Sequence, residues 1–264
     1  MPAASSSPAS ADFPSFDHVR AAAPGAIKRW LRLGWSDLRA AGWVSPAYGA
    51  IFAVGGFVIT FGLVLVGMPY LITPMIGGFL LIGPLLALGL YDISDRHEKG
   101  QAASFVHALL AFRRNRFHIL TAGLVLMLVV MIWARLSAVL FAIFFPYQSM
   151  TLASFLAQIV TFDGIVFTVM MVALGFVFAT AVFVTHMVSL PMMLDCKVDI
   201  FSAAIWSVMA VVRNPVTSAR WAATIALVVG AGMLACFVGL AVALPLIGHA
   251  SWHAYREMIG LDRV

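Results

Sequence analysis

Charge is what this chain has least of. Only 10% of its 264 residues are Asp, Glu, Lys or Arg, against about a quarter in a soluble domain. With 62% hydrophobic residues and a mean hydropathy of +1.01, a water-soluble globule is excluded. Cysteine is nearly absent too. Cys196 and Cys236 are the only two, and they lie too far apart in the pattern to suggest a pair, so two free thiols are expected. No Cys-x-x-Cys or Cys/His metal spacing occurs. The phosphate-binding glycine loop, the HExxH zinc helix and the GxSxG elbow are all missing, which argues against ATPase, metalloprotease and hydrolase chemistry. The first 25 residues, rich in Ala, Ser and Pro, lack the apolar core of a signal peptide and read as a disordered cytoplasmic tail.

What the chain has instead is five long apolar runs, at about 47–67, 70–91, 119–144, 164–193 and 219–247. Each approaches or exceeds the ~20 residues that a helix needs to cross a bilayer. The expected fold is an all-α membrane protein, with residues 26–264 as a single polytopic domain. Five spans are expected, or six if 199–212 also crosses, although about 14 residues is short for that. Basic residues cluster before the first run, in 92–118 and in 194–220, whereas the Met68-Pro69 turn and 145–162 have none. The positive-inside rule then puts the N-terminus in the cytoplasm. Five spans would leave the C-terminal tail outside, against the sign of Arg256 and Arg263. The net charge of +5 fits anionic lipid better than nucleic acid, because the basic residues flank the apolar runs.

Each basic segment carries an amphipathic stripe ahead of a run. The first is Ile27, Trp30, Leu31, Trp35 and Leu38; the second is Phe105, Val106, Leu109 and Phe112; the third is Phe201, Ile205, Val208 and Val212. Spacings of three and four mark helices suited to the membrane surface. The second and third end in Arg114-Asn115 and Arg213-Asn214, which suggests one design used repeatedly: surface helix, elbow, span, return span. The third copy shows no obvious return. Ala219, Ala223, Ala231, Ala235, Gly239 and Ala243 form a small-residue face expected to pack tightly within the molecule. Pro69, Pro74 and Pro84 point to a tight hairpin and a kinked second span.

Few residues could carry chemistry. Arg135 is the one charge well inside a run; it could serve a functional site, snorkel to outer headgroups or pair with Asp163. His186, near the end of the fourth run, could ligate haem or relay protons, but a hydrogen bond to a neighbouring helix is the simpler reading. His249 and His253, at i and i+4, would share a helical face. That spacing can hold a metal, but no third ligand is visible, and Trp252 and Tyr255 beside them suggest an interfacial anchor. On the five-span topology Arg135, Asp163, His249 and His253 gather toward one outer face, with His186 opposite. Asp92, Asp95 and Glu98 read as a solvated helix end paired with Arg96 and Lys99.

Several segments together resemble a bacterial family of predicted integral membrane proteins, domain of unknown function 2189. They are GFLLIGPLLALGLYD at 78–92, SLPMMLD at 189–195, Arg213-Asn214-Pro215, and the closing PLIGHASWHAYR at 245–256, the most distinctive. One departure is Cys196, where the family pattern would place a basic residue. The resemblance implies a bacterial inner-membrane location and no particular activity, and adds Arg256 to the residues of interest. The leading expectation is a non-enzymatic structural, interaction or assembly role with a membrane-protein partner and no cofactor. Alternatives are a small-solute transporter or channel, and a haem- or metal-binding redox protein.

Overall fold

The computed structural model describes residues 19–145 and 152–259; most of the N-terminal tail reading therefore lies outside the described residues. Among them the chain is helical, apart from an isolated antiparallel bridge between Val19 and Ile259. The order is α1 (Ala26–Ala40), α2 (Val44–Leu65), a 3-10 turn (Pro69–Leu71), α3 (Ile72–Leu81), α4 (Gly83–Leu86) and α5 (Leu88–Glu98). Then follow α6 (Phe105–Leu109), a 3-10 turn (Ala111–Asn115), α7 (Arg116–Phe144), α8 (Leu152–Ile159), α9 (Phe162–His186) and α10 (Ser189–Asp195). The last three are α11 (Ile200–Arg213), α12 (Pro215–Leu234) and α13 (Leu240–Met258).

Among the described residues, four segments are long and apolar enough to cross a membrane: Val44–Leu65, Ala111–Phe144, Phe162–Asp195 and Pro215–Leu234. The second apolar run is not among them. It is divided into α3, α4 and α5, with Pro84 in the first turn of α4, where its missing donor is tolerated but the preceding helix is not continued. The fifth run is also cut, a correction to the expected single span. Cys236 and Phe237 adopt left-handed backbone (φ 51° and 65°), which ends α12 and reverses the chain.

Three units share one plan. A short leading helix, an elbow and a long apolar helix are followed by a return: α1–α2 with α3–α5, α6–α7 with α9–α10, and α11–α12 with α13. The third unit thus does have a return, α13. Each leading helix packs on the return of the preceding unit, α6 on α5 and α11 on α10, and α1 packs on α13 to close the ring. The elbow asparagines serve matching ends. Asn115 donates to the Val198 carbonyl (2.9 Å), just ahead of α11. Asn214 donates to the Arg20 carbonyl (3.1 Å) and accepts from the Ala22 amide (2.7 Å), ahead of α1. Residues 19–25, expected within a disordered tail, are thereby held, and the Arg20 amide bonds the Met258 carbonyl at 2.8 Å.

The small-residue face is corrected in part: Gly239 and Ala243 pack closely on Gly232, as expected. Ala219, Ala223, Ala231 and Ala235 are exposed, and α12 instead buries Ser218, Trp221, Val229 and Gly232. Close backbone approach occurs along α13. A Cβ at Gly34 would fall 2.7 Å from the Ala250 nitrogen, and one at Gly49 2.8 Å from the Ala241 oxygen. Both positions need glycine because main chain, not a yielding side chain, lies opposite.

Candidate functional site

The polar side chains gather where α1, α5, α10 and the C-terminal half of α13 meet. These elements are brought together by the apolar faces of Trp30, Leu38, Leu90, Ile93, Leu190 and Tyr255, all buried. At the centre is His249, with Ser45 and Ser94 on either side; all three are 0% exposed. His249 Nε2 lies 2.8 Å from Ser45 Oγ, and Nδ1 lies 2.8 Å from Ser94 Oγ. Ser94 also bonds Asp37 Oδ2 at 2.6 Å. His253 Nε2 reaches the same oxygen at 2.9 Å, and His97 Nδ1 stands 3.7 Å from Oδ1.

Chemistry fixes the direction of this chain. An ionised carboxylate only accepts, so Ser94 donates to Asp37, and its oxygen then accepts from His249 Nδ1–H. Burial pushes His249 down to about 4, despite the opposing field of Asp37, so the ring is neutral at pH 7. Its Nε2 therefore accepts from the Ser45 hydroxyl. Burial works to raise Asp37, but hydrogen bonds from His253 and Ser94 outweigh it and hold the carboxyl below its ordinary range.

Three further carboxylate clusters flank this one. Asp95 takes Lys99 at 2.5 Å and Arg114 at 2.6 Å, and Arg114 also reaches Asp92 at 3.2 Å. Burial opposes the ionisation of Asp95, yet its two cationic partners keep it below the usual range. This corrects part of the reading of a solvated, self-paired helix end: Lys99 does pair with Asp95 and Glu98 is exposed, but Asp92 and Asp95 are buried, and Arg96 bonds the Ala102 carbonyl instead (2.9 Å). On the other flank Trp252 donates to Glu98 (2.8 Å), and Tyr255 and Arg256 converge on Asp195 Oδ2 at 2.9 and 3.1 Å. Glu257 receives Arg29, Trp30 Nε1 at 2.8 Å and the Ala23 amide at 3.1 Å.

The structure therefore brings together His249, Trp252, His253, Tyr255 and Arg256 and leaves the other candidates elsewhere. Trp252 and Tyr255 are 0% and 1% exposed, so they are core residues and not an interfacial anchor. His249 and His253 do share a face, but it meets Asp37 of α1 and the start of α2, whereas Asp163 begins α9 at the opposite end, beside Phe167 and its partners Phe141, Phe144 and Phe145. The expected outer grouping is overturned. The reason is the reversal at 235–239, which carries α13 back toward the N-terminal helix. The Val19–Ile259 bridge sets the end of α13 beside the segment leading into α1, against the opposite sides that five spans would give. Among the described residues no ion pair joins Arg135 to Asp163, and both are exposed. His186 approaches its own helix, at Thr185 Oγ1 (2.7 Å) and the Val182 carbonyl (3.2 Å).

Sequence reasoning missed Asp37, Ser45, Ser94, His97, Arg114 and Asp195. Asp37 had a signal, as the one acid within an otherwise basic leading helix. The serines had none. Among the described residues no group of three or more His, Cys, Asp or Glu is placed to hold a metal ion; Cys196 and Cys236 form no disulfide, and Cys196 Sγ lies 4.0 Å from the Tyr255 hydroxyl.

No curated protein and no solved structure matches this chain. A family model does match, over residues 71–195, from the start of the broken arm α3–α4–α5 to Asp195. The Arg-Asn-Pro elbow at 213–215 and the closing segment at 245–256 fall outside it. Residues 71–195 are similar to the family described as predicted integral membrane protein, DUF2189.

Proposed function

We propose that this is a non-enzymatic protein of the bacterial inner membrane, a scaffold that binds a membrane-protein partner, with the polar cap and the N-terminus on the cytoplasmic side. The observation that carries this reading is the way the cap's polar groups are used. Every candidate side chain on α13 is engaged by a neighbouring helix, so the cluster locks α1, α2, α5, α10 and α13 into one rigid body. The Ser45–His249–Ser94–Asp37 chain has the order of a nucleophile, base and orienting acid. Ser45 is fully buried, however, which suits a structural tie and not an attacking group. The leading helices turn apolar side chains outward, Val106 and Leu109 on α6 and Phe201, Ile205 and Val212 on α11. That exposure supports surface helices seated at the headgroups, where they can present a partner-binding face.

Affinity purification of the full chain in mild detergent, followed by mass spectrometry, tests this. One membrane protein should co-purify at fixed stoichiometry. Recovery as a lone monomer from several mild detergents would count against it.

The transporter reading draws on the broken arm α3–α4–α5, the repeated plan of the three units and Arg135. It needs a polar path to Arg135. The clefts at Arg116–Leu124 and between Tyr48 and Gly123 are apolar-lined and touch neither Arg135 nor the cap histidines. The redox reading needs free imidazole nitrogens, whereas both ring nitrogens of His249 and Nε2 of His253 have partners.

A further inference from the structure

We propose that α12 and α13 form a re-entrant hairpin, which enters and leaves the bilayer on one side and packs its apolar tip against acyl chains near the midplane. The register with α2 sets its depth. Ser45 meets His249, Gly49 meets Ala241 and Pro245, and Gly56 meets the Phe237 ring, so α13 runs antiparallel to α2. The hairpin turn at 235–239 thus lies level with the middle of α2. From Gly56 to Leu65 α2 continues for nine residues, roughly 13 Å at 1.5 Å per residue. The burial of α2 agrees. Its buried residues are Val44, Ser45, Tyr48, Gly49 and Ala53, and none lies beyond Ala53.

α12 is long enough to cross, but it spends its first turns in the polar cap. Asn214 bonds Arg20 and Ala22, and Trp221 packs edge-on against Trp30 at 5.5 Å. Only the second half remains to enter lipid. The tip has the composition of a lipid contact and not of an aqueous loop. No Asp, Glu, Lys or Arg occurs from Trp221 to Tyr255, and Leu234 and Val238 are 89% and 74% exposed. Backbone polar groups in hydrocarbon must be satisfied internally. The turn does this for most of its amides: those of Ala235, Phe237, Val238, Leu240 and Ala241 donate to carbonyls between Ala231 and Val238, and those of Cys236 and Gly239 are the exceptions.

Cys236, exposed at the tip, is a native probe. The full chain with Cys196→Ser would be treated with a membrane-impermeant maleimide in sealed inside-out and right-side-out vesicles. A Cys-less chain carrying Val66→Cys, at the far end of α2, reports that the reagent reaches the far surface. Labelling of Cys236 from either face should be at least roughly tenfold below that in SDS, as for a thiol in apolar surroundings. A lipid-soluble bimane on Cys236 should be quenched more by lipids brominated in mid-chain than by a headgroup quencher. Ready labelling from the far face would mean a crossing hairpin, and from the near face a tip in water. Either result, or stronger quenching at the headgroups, overturns the proposal.

Discussion

At the scale of single residues, the cap is held by directional hydrogen bonds around a neutral imidazole. His249 sits at about 4, below its ordinary 6.5. Between those values the unfolded chain binds a proton that the folded one refuses, so stability should be complete above 6.5 and decline as pH falls toward 4. The size is on the order of 3 kcal/mol. Asp37 adds a further loss at lower pH, because a depressed carboxyl contributes only while it is ionised. Unfolding of the detergent-solubilised chain at pH 7 and 4.5 measures this, and His249→Gln should flatten the slope between them. An unchanged slope would show that His249 does not govern it. The i, i+4 pair of histidines was legible in the sequence, and so was its shared face. Its partners were not, because Asp37, Ser45 and Ser94 come from distant segments and nothing in a serine's local pattern announces burial.

At the scale of elements, close contact with α13 decides which glycines matter. Gly49→Leu should prevent α13 from docking, since Ala241 and Pro245 stand within 3 Å of the new side chain. Gly62→Leu, facing nothing within 4 Å, should leave the fold intact. Overpacking usually costs about 1–3 kcal/mol where neighbours can yield, and main chain cannot. Size-exclusion profiles and melting temperatures of the two variants make the comparison; equal behaviour would contradict the register. Apolar runs and basic flanks revealed which segments are helical and where leading helices lie. They did not reveal the breaks. Ile82 and Ala87 interrupt the second run with only small changes from helical backbone, and Cys236 and Phe237 are residue types that seldom take left-handed conformations. The α1 stripe was half right. Trp30 and Leu38 are buried on α13, but Trp35 is exposed, with the Arg39 guanidinium 5.1 Å from its ring.

At the scale of the whole molecule, the bridge between Val19 and Ile259 joins the two ends of the described chain. Reporter domains fused to the N- and C-termini should therefore fall in the same compartment. Fluorescent and alkaline-phosphatase fusions at each end would read this, and opposite compartments would exclude the packing of α13 on α1. On the cap side α13 runs beside α2, whereas past Gly56, where Phe237 of the hairpin turn meets it, α2 continues to Leu65 without α13 beside it. Seated in a bilayer with the hairpin stopping halfway, such a body is a wedge. It spreads one leaflet more than the other, so a bilayer crowded with it would relax by bending, convex on the side of the cap.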